Sequence, residues 1–408
     1  MSIQHANRGV VKKDLQLYYN REWVKSFRGE ATTNFILQTE NLTNSWTGNL
    51  FNNWINATVT ANADLAPDGS LTASRLTGGY ARWTNSITVS ASVTYTASIW
   101  LKNISLGVDP GINIATGLNG TLVSYVVANT TITRSTIANW RRVSITYTIP
   151  ASGVNQIQFG IRYEGDYPNQ NSILVWGAQF EQKAYASTYL ANSSASSISR
   201  TNTIAGGGGL LDISGNNYNI DLTSTAIAFD SGGYYFNANA QGAITTPVAN
   251  SVLDNLSNNS HTYECWFKLL GTPPGLYGGY FFGRQGYHSG FYHDKGTPNV
   301  IYATTWYNDV TNTSLGTTLS LNTWYQGVFI TDVENAMRYL YINGVLRDSA
   351  TLTKQLRQYA STTPYYIGAA STDYASNSIV STARAYSRAL TAAEILQNFN
   401  ATRTTYGI

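Results

Sequence analysis

Four stretches of this chain crowd aromatic rings among amides, carboxylates and imidazoles. They are GRQGYHSGFYHDKG (283–296), TTWYNDVTN (304–312), STDYASN (371–377) and YEGDYPNQN (163–171). Such mixtures suit a ligand with flat apolar C–H faces and a rim of hydroxyls, which describes a sugar. A Tyr or Trp ring stacks on the face, while Asn, Asp, Gln or Arg hydrogen-bonds the edge. The candidate residues are Tyr287, His288, Trp306, Tyr307, Asp309, Asp373 and Tyr374, with Tyr163, Asp166 and Tyr167 in the first half of the chain. Stacking is expected to contribute more than the hydrogen bonds, since a neutral hydrogen bond nets only about 1 kcal/mol after exchange with water. The same tyrosines would also serve at subunit contacts or over sheet edges.

Covalent chemistry has little to work with. Glycoside hydrolysis needs two carboxylates about 5–10 Å apart. The strongest strand pattern, TYECWFK (262–268), carries only Glu264, with Trp266 and Lys268 on its face. The expectation is a structural Glu264 paired with a nearby base, and no catalytic residue. His5, His261, His288 and His293 form no i, i+4 ligand pair. Cys265, the one cysteine, alternates with Tyr263 and Phe267 and reads as a small buried hydrophobe. No G-x-S-x-G occurs, and GGGGL (206–210) is followed by no helix pattern.

Residues held this way need a rigid scaffold. Of the 408 residues, 43% are hydrophobic and only 12% charged, and 29 Tyr and 10 Trp stand against 2 Met. Uncharged polar residues mixed with β-branched and aromatic ones favour pleated, half-exposed surfaces, so the fold class is all-β. Two β-rich segments, about 33–189 and 210–386, show short strand patterns at regular spacing, which indicates sandwiches rather than βαβ units. Asn343-Gly344 between two alternating runs predicts a type I′ hairpin. Thr391 to Glu394 predicts a capping box opening a short C-terminal helix. Trp46, Trp54 and Trp100 are expected in the core. Residues 14–19, DLQLYY, read as a strand with no domain directly after it.

The net charge of +3 comes without any basic run, so nucleic acid is not an expected partner. No apolar run approaches the ~20 residues of a membrane span. MSIQHANRGVVKKD shows no apolar signal core. The expectation is a protein folded in the cytosol with a surface suited to an outside environment, a pairing that a virus particle released by lysis reconciles.

The second segment resembles the concanavalin-A-like, laminin-G-type jelly roll. The resemblance rests on LLDISGNN (210–217), TYECWFKL (262–269), FFGRQGYHSG (281–290), LNTWYQGVF (321–329), LYINGVL (340–346), YYIGAAS (365–371) and ARAYSRALTAAEILQNFNATR (383–403). The closing YSRALTAAEILQNFNATRTTYGI is similar to the end of laminin-G-like proteins of bacteriophage particles. In that family a strand of the DLQLYYN type (14–20) precedes the LDISGN motif (211–216) by a short turn; here residues 21–210 intervene. This implies an inserted domain, with seams near 28–30 and 206–209. Hydrolases on this fold carry paired carboxylates on one strand, which Glu264 alone does not match.

The insert resembles carbohydrate-binding-module-like jelly rolls of phage tail and adhesion proteins, through TNFILQTENLTNSWT (33–47), APDGSLTASRLT (66–77), YTASIWLK (95–102), WRRVSITY (140–147) and VWGAQFEQKAYASTYL (175–190). Such modules often hold a structural calcium. Val175-Trp176-Gly177 replaces the acidic residue expected in the last strand, which leaves Glu40 as the candidate ligand. No other cofactor is expected.

The resemblances imply two jelly-roll β-sandwiches, one inserted into the other: residues 1–28 as tail and first strand, 29–203 as the insert with its linker, and 204–408 as the remainder of the laminin-G-like domain. The implied protein is a phage virion component, a tail fibre or capsid-surface protein. It would engage host-surface glycans and other virion proteins, as a homo-oligomer. A decoration or cement protein without a glycan ligand and a glycan depolymerase are the alternatives.

Overall fold

The structure is a computed structural model. It describes residues 9–408 except 24, 38, 41–57, 79, 83–85, 107–108, 129–131, 134, 163–171, 195, 231, 239, 285–288, 298, 308–309, 312–314, 353–355 and 357–361. The described residues are almost entirely β, and their one α-helix is Ala392–Thr402. No helix among them is long and apolar enough to cross a membrane.

The chain forms two compact units, Met1–Glu30 with Thr201–Ile408, and Ala31–Arg200. These divisions fall two residues after and three residues before the boundaries read from the sequence. Short clasps set them: Phe27–Gly29 pairs with Gly209–Leu210 in the first unit, and Thr32–Asn34 pairs with Ile198–Arg200 in the second.

The discontinuous unit is a sandwich of two antiparallel sheets. One has the order Ile227–Asp230, Gly233–Phe236, Ser378–Tyr386, His261–Leu269, Trp324–Asp332, Met337–Ile342, Val345–Thr351, and Leu15–Asn20 also pairs with Ser378–Tyr386. That is the partner sheet the sequence assigned to residues 14–19. The LDISGN motif is tied to this strand. Tyr18 N donates to Asp212 Oδ1 at 2.9 Å, and Asn216 Nδ2 donates to the Gln16 carbonyl at 2.9 Å. The other sheet runs Ala243–Thr245, Tyr365–Ile367, Gly279–Arg284, Ser289–His293, Val300–Tyr307, with Leu315–Thr318 and Val310–Thr311 both on the last of these.

Alternation sends one face of each strand inward. Leu17, Tyr263, Cys265, Phe267, Phe329 and Leu340 meet Phe282, Phe291, Ile301, Ala303 and Ile367 between the sheets. On the outward face of the larger sheet, Val328, Ile330 and Tyr386 pack under Ile395 of the helix. The capping box is formed by Thr391 and Glu394. The Asn343-Gly344 turn has φ of 53° and 77°, the two positive values a type I′ hairpin needs.

The continuous unit is a second sandwich. Its sheets are Thr121–Ala128, Gly111–Leu118, Gln156–Arg162, Tyr80–Arg82 (with Ile87–Thr88 also on Gln156–Arg162), and Arg141–Thr148, Thr94–Ser105, Ser172–Glu181, Ala73–Thr77, Thr58–Asp64. Ile99, Leu101, Ile114, Ile145, Phe159, Ile173 and Val175 fill the space between them. Trp100 departs from its expected place. It points opposite to Ile99 and Leu101 and sits half-buried in a satellite cluster with Trp140, Trp176 and Tyr189. Trp46 and Trp54 lie outside the described residues.

Candidate functional site

The outward face of the seven-stranded sheet carries a row of tyrosines. Tyr280 stands opposite Tyr292, and Tyr292 opposite Tyr302, on three neighbouring strands. The Tyr292 and Tyr302 rings are 5.1 Å apart at 30°. Tyr366, Ala370 and Tyr374 join Tyr280 and Tyr292 in one aromatic cluster. Tyr374 in turn lies 5.7 Å from Tyr277, which is 60% exposed.

A backbone irregularity puts Tyr280 there. Phe282 pairs with Phe291 and faces the core, so an unbroken strand would turn residue 280 inward too. The register shifts between Tyr280 and Phe282, and the extra residue, Phe281, sends Tyr280 outward against Tyr292. Re-aiming a side chain is what a β-bulge does. The Tyr280 ring then runs along the sheet over two glycines. A Cβ on Gly283 or Gly290 would stand 2.2 or 2.3 Å from the Tyr280 hydroxyl. That hydroxyl donates to the Ser289 carbonyl at 2.7 Å. At the far end the Tyr302 ring lies over Gly316, 3.1 Å from where a Cβ would be.

Polar groups border the rings. Gln241 is exposed, and its Nε2 donates to the Ala370 carbonyl at 3.2 Å. Asp373 is exposed at the Tyr374 end. Asp294 follows Tyr292 by two residues; its Oδ2 accepts from Thr297 N at 2.8 Å and from the Thr297 hydroxyl. Burial holds the Tyr366 phenol above its ordinary range, so it stays a hydroxyl able to donate at neutral pH. Tyr280 and Tyr366 are buried beneath this face, so its accessible rings are Tyr292, Tyr302, Tyr374 and Tyr277, edged by hydrogen-bonding groups. Such a surface can stack against an apolar ring face and bond its rim.

Asp373 and Tyr374 belong to this band, in the turn Thr372–Tyr374, where the Asp373 carbonyl accepts from Tyr277 N at 3.0 Å. Trp306 and Tyr307 end the strand Val300–Tyr307, and their backbones pair with Thr311 and Val310. The neighbouring Thr305 pairs with Ser289, which pairs with Arg284, so these two candidates stand at the sheet end opposite Asp373. Tyr287, His288, Asp309, Tyr163, Asp166 and Tyr167 lie outside the described residues. His293 is fully buried. Sequence reasoning did not single out Tyr280, Tyr302, Tyr366 and Tyr277. The signal for Tyr302 was alternation in VIYATT, but the opposition of three tyrosines needs the strand register.

Glu264 is part of a closed network. Its Oε1 accepts from Arg384 Nη1 at 2.5 Å and from Gln326 Nε2 at 2.8 Å, and its Oε2 accepts from Asn398 Nδ2 at 2.7 Å. Both oxygens are committed and the side chain is fully buried, as a structural carboxylate requires. Burial pushes the Cys265 thiol well above its ordinary range. In the continuous unit, burial and the nearby Asp68 raise the Glu40 carboxyl, whose Oε1 accepts from the Tyr189 hydroxyl at 3.5 Å. Among the described residues no three His, Cys, Asp or Glu side chains converge on a metal site.

Residues 238–396 match the sequence profile of the concanavalin A-like lectin/glucanases superfamily, and the unit that contains them has the lectin-like jelly-roll fold. Curated proteins contain no match to the chain. Among solved structures, the chain is similar to the "Binding domain of Botulinum Neurotoxin DC in complex with SialylT", with 15% identity and a TM-score of 0.36 over 47% of this chain and 48% of that one. It is similar as well to the "Binding domain of Botulinum neurotoxin DC in complex with rat synaptotagmin II", with 16% identity and a TM-score of 0.35 over 47% and 49%. The chain thus spans about half the length of these structures. At such low identity and overlap a shared ligand does not follow.

Proposed function

We propose that this chain is a glycan-binding structural protein of a bacteriophage particle, and that it holds host-surface sugars on the tyrosine band of its seven-stranded sheet. One observation carries the binding reading: Tyr292 and Tyr302 stand opposite one another on one outward face, braced by the buried Tyr280, with Tyr374 and Tyr277 continuing the band. The match of residues 238–396 to the lectin/glucanase superfamily supports it. The closing YSRALTAAEILQNFNATRTTYGI and the insert's resemblance to phage adhesion modules support the virion setting. In this reading the chain binds and does not cleave.

The test is a glycan array of bacterial surface polysaccharides probed with the full-length protein, followed by cryo-electron microscopy of the parent particle. Binding to a defined polysaccharide, with the chain on a tail fibre or the capsid surface, is the expected result. Release of oligosaccharide products, or a particle that lacks this chain, contradicts it. A second reading rests on Leu276 and Tyr277, which are 58% and 60% exposed beside the band. It makes the same face a contact with a neighbouring virion protein, and no glycan would then bind the free chain.

A further inference from the structure

The two sheets of the discontinuous unit meet at one edge through the strands Leu315–Thr318 and Val345–Thr351, where Gly316 N donates to Asp348 Oδ2 at 3.1 Å. A cleft of about 610 Å³ opens beside this contact. Its volume lies within the roughly 300–1,000 Å³ of small-molecule sites. Ile342, a core residue, and the Tyr325 ring give it an apolar base, while Asn299, Thr317 and Ser320 line it with neutral polar groups. Arg347 is its one charged lining residue.

A bulge delivers that arginine. Leu340 pairs with Asp348 and Tyr341 with Leu346, which leaves Arg347 as the extra residue of the strand. Asp348 stays opposite the core residue Leu340 and Leu346 opposite Tyr341, so the insertion serves to place the Arg347 side chain. Arg347 forms no ion pair with any described residue. The carboxylate next to it, Asp348, is occupied by Gly316 N and Ser349 N. The guanidinium is a fork of donors matched to a carboxylate.

We propose that this cleft is a binding subsite for a carboxylate-bearing sugar, a uronic or sialic acid residue of a polysaccharide. Arg347 would take the carboxylate, Asn299, Thr317 and Ser320 the hydroxyls, and Tyr325 with Ile342 the apolar ring face. An acidic peptide would use the single cation but leave the hydroxyl-rich remainder without matching groups. The site is separate from the tyrosine band. Thr317 pairs with the core residue Ile301, whereas Tyr302 lies over Gly316 on the outward side.

The test is saturation-transfer NMR on the full-length chain with glucuronic acid, N-acetylneuraminic acid and, as the neutral counterpart, glucose. At least one acid should bind, with glucose at least about tenfold weaker, and Arg347→Ala should remove that preference by about tenfold or more, the range of a lost charge-assisted hydrogen bond. Arg347→Lys should fall between, since it keeps the charge and loses the fork. Tyr292→Ala should lower whatever sugar binding the band contributes, acid and glucose alike, while the Arg347-dependent preference for the acid remains, which separates this subsite from the band. Arg347 is exposed, and an unchanged amide spectrum verifies folding. The proposal is overturned if neither acid binds, if the Tyr292→Ala chain binds glucose as well as it binds either acid, or if Arg347→Ala behaves as the parent chain. It is overturned equally if a tetraglutamate peptide displaces the sugar acid at lower concentration.

Discussion

Glu264 and Arg384 stand directly opposite one another on neighbouring strands, and both side chains are fully buried. Arg384 also lies over the Tyr18 ring at 4.6 Å and donates from Nη2 to the Tyr18 hydroxyl at 3.2 Å. One ion pair therefore joins the first strand of the unit, a central strand and the last strand. Asn398 brings the helix into it, and its Oδ1 accepts from Val11 N at 2.7 Å.

Breaking that pair from one side should be severe. Glu264→Gln leaves a buried guanidinium without its counter-charge, and the unit should lose about 3–5 kcal/mol in urea unfolding. The double variant Glu264→Gln/Arg384→Met should recover part of this loss. If the two single changes prove additive in the double variant, the pair is not coupled.

Acid should act in two separate windows. Burial lowers His261 to about 4, with a smaller contribution from Arg284. The unfolded chain then binds the extra proton first, so stability is full above about 6.5 and falls as the pH drops towards 4, by about 3 kcal/mol in all. Glu394 is held down to about 2, chiefly by hydrogen bonds from Arg388. Its contribution is present above about 4.5, is lost as the pH falls through 2, and is reduced by solvent at this partly exposed site. Equilibrium unfolding of His261→Asn across pH 4–7 should show a flatter profile than the parent chain; an unchanged slope would remove His261 as its cause.

Gly290→Ala should damage the tyrosine band without touching a tyrosine. The residue has φ of 150°, and a Cβ there would lie 2.3 Å from both the Phe282 carbonyl and the Tyr280 hydroxyl. A loss of roughly 1–3 kcal/mol is expected for the strained backbone alone. Weaker glycan binding should accompany it as Tyr280 shifts, read as lower Tm together with lower array signal. A variant with parental Tm and binding contradicts the geometry.

On the band itself, the ring should matter more than the hydroxyl. Tyr292→Ala should weaken glycan binding by about fivefold to tenfold, and Tyr292→Phe should retain most of it. Asp373→Asn should change it less than Tyr292→Ala does. Equal losses for Phe and Ala at position 292 would shift the recognition from stacking to hydrogen bonding.

Local signals in the sequence are readable where local physics decides. Asn343-Gly344 sets its own turn, Thr391 and Glu394 cap their helix, and alternation places Cys265 in the core. The role of residues 14–19 is readable through the resemblance that sets a strand of this type before LDISGN, and the structure supplies the physical reason, since Asp212 and Asn216 bond that strand's backbone. Bulges are not readable. Nothing in GGYFFGRQG marks Phe281 as the extra residue, and a one-residue shift exchanges the faces. A sequence therefore directs attention to loops, because its strand positions look committed to packing. Trp100 escapes for a related reason, since a Trp within an apolar run gives no sign of which face it takes.

The pairing of Leu15–Asn20 with Ser378–Tyr386 also sets an order in time. At about 5–20 residues per second of synthesis, the first strand waits about 20 to 70 s for its partner. Ala31–Arg200 has every strand it needs long before then and can fold while the rest of the chain is still on the ribosome. During that interval Leu15–Asn20 is an unpaired apolar strand beside a finished domain, and the interval is when the chain is most exposed to aggregation. Nascent chains arrested after residue 250 should accordingly show Ala31–Arg200 protected from protease and Leu15–Asn20 open to it.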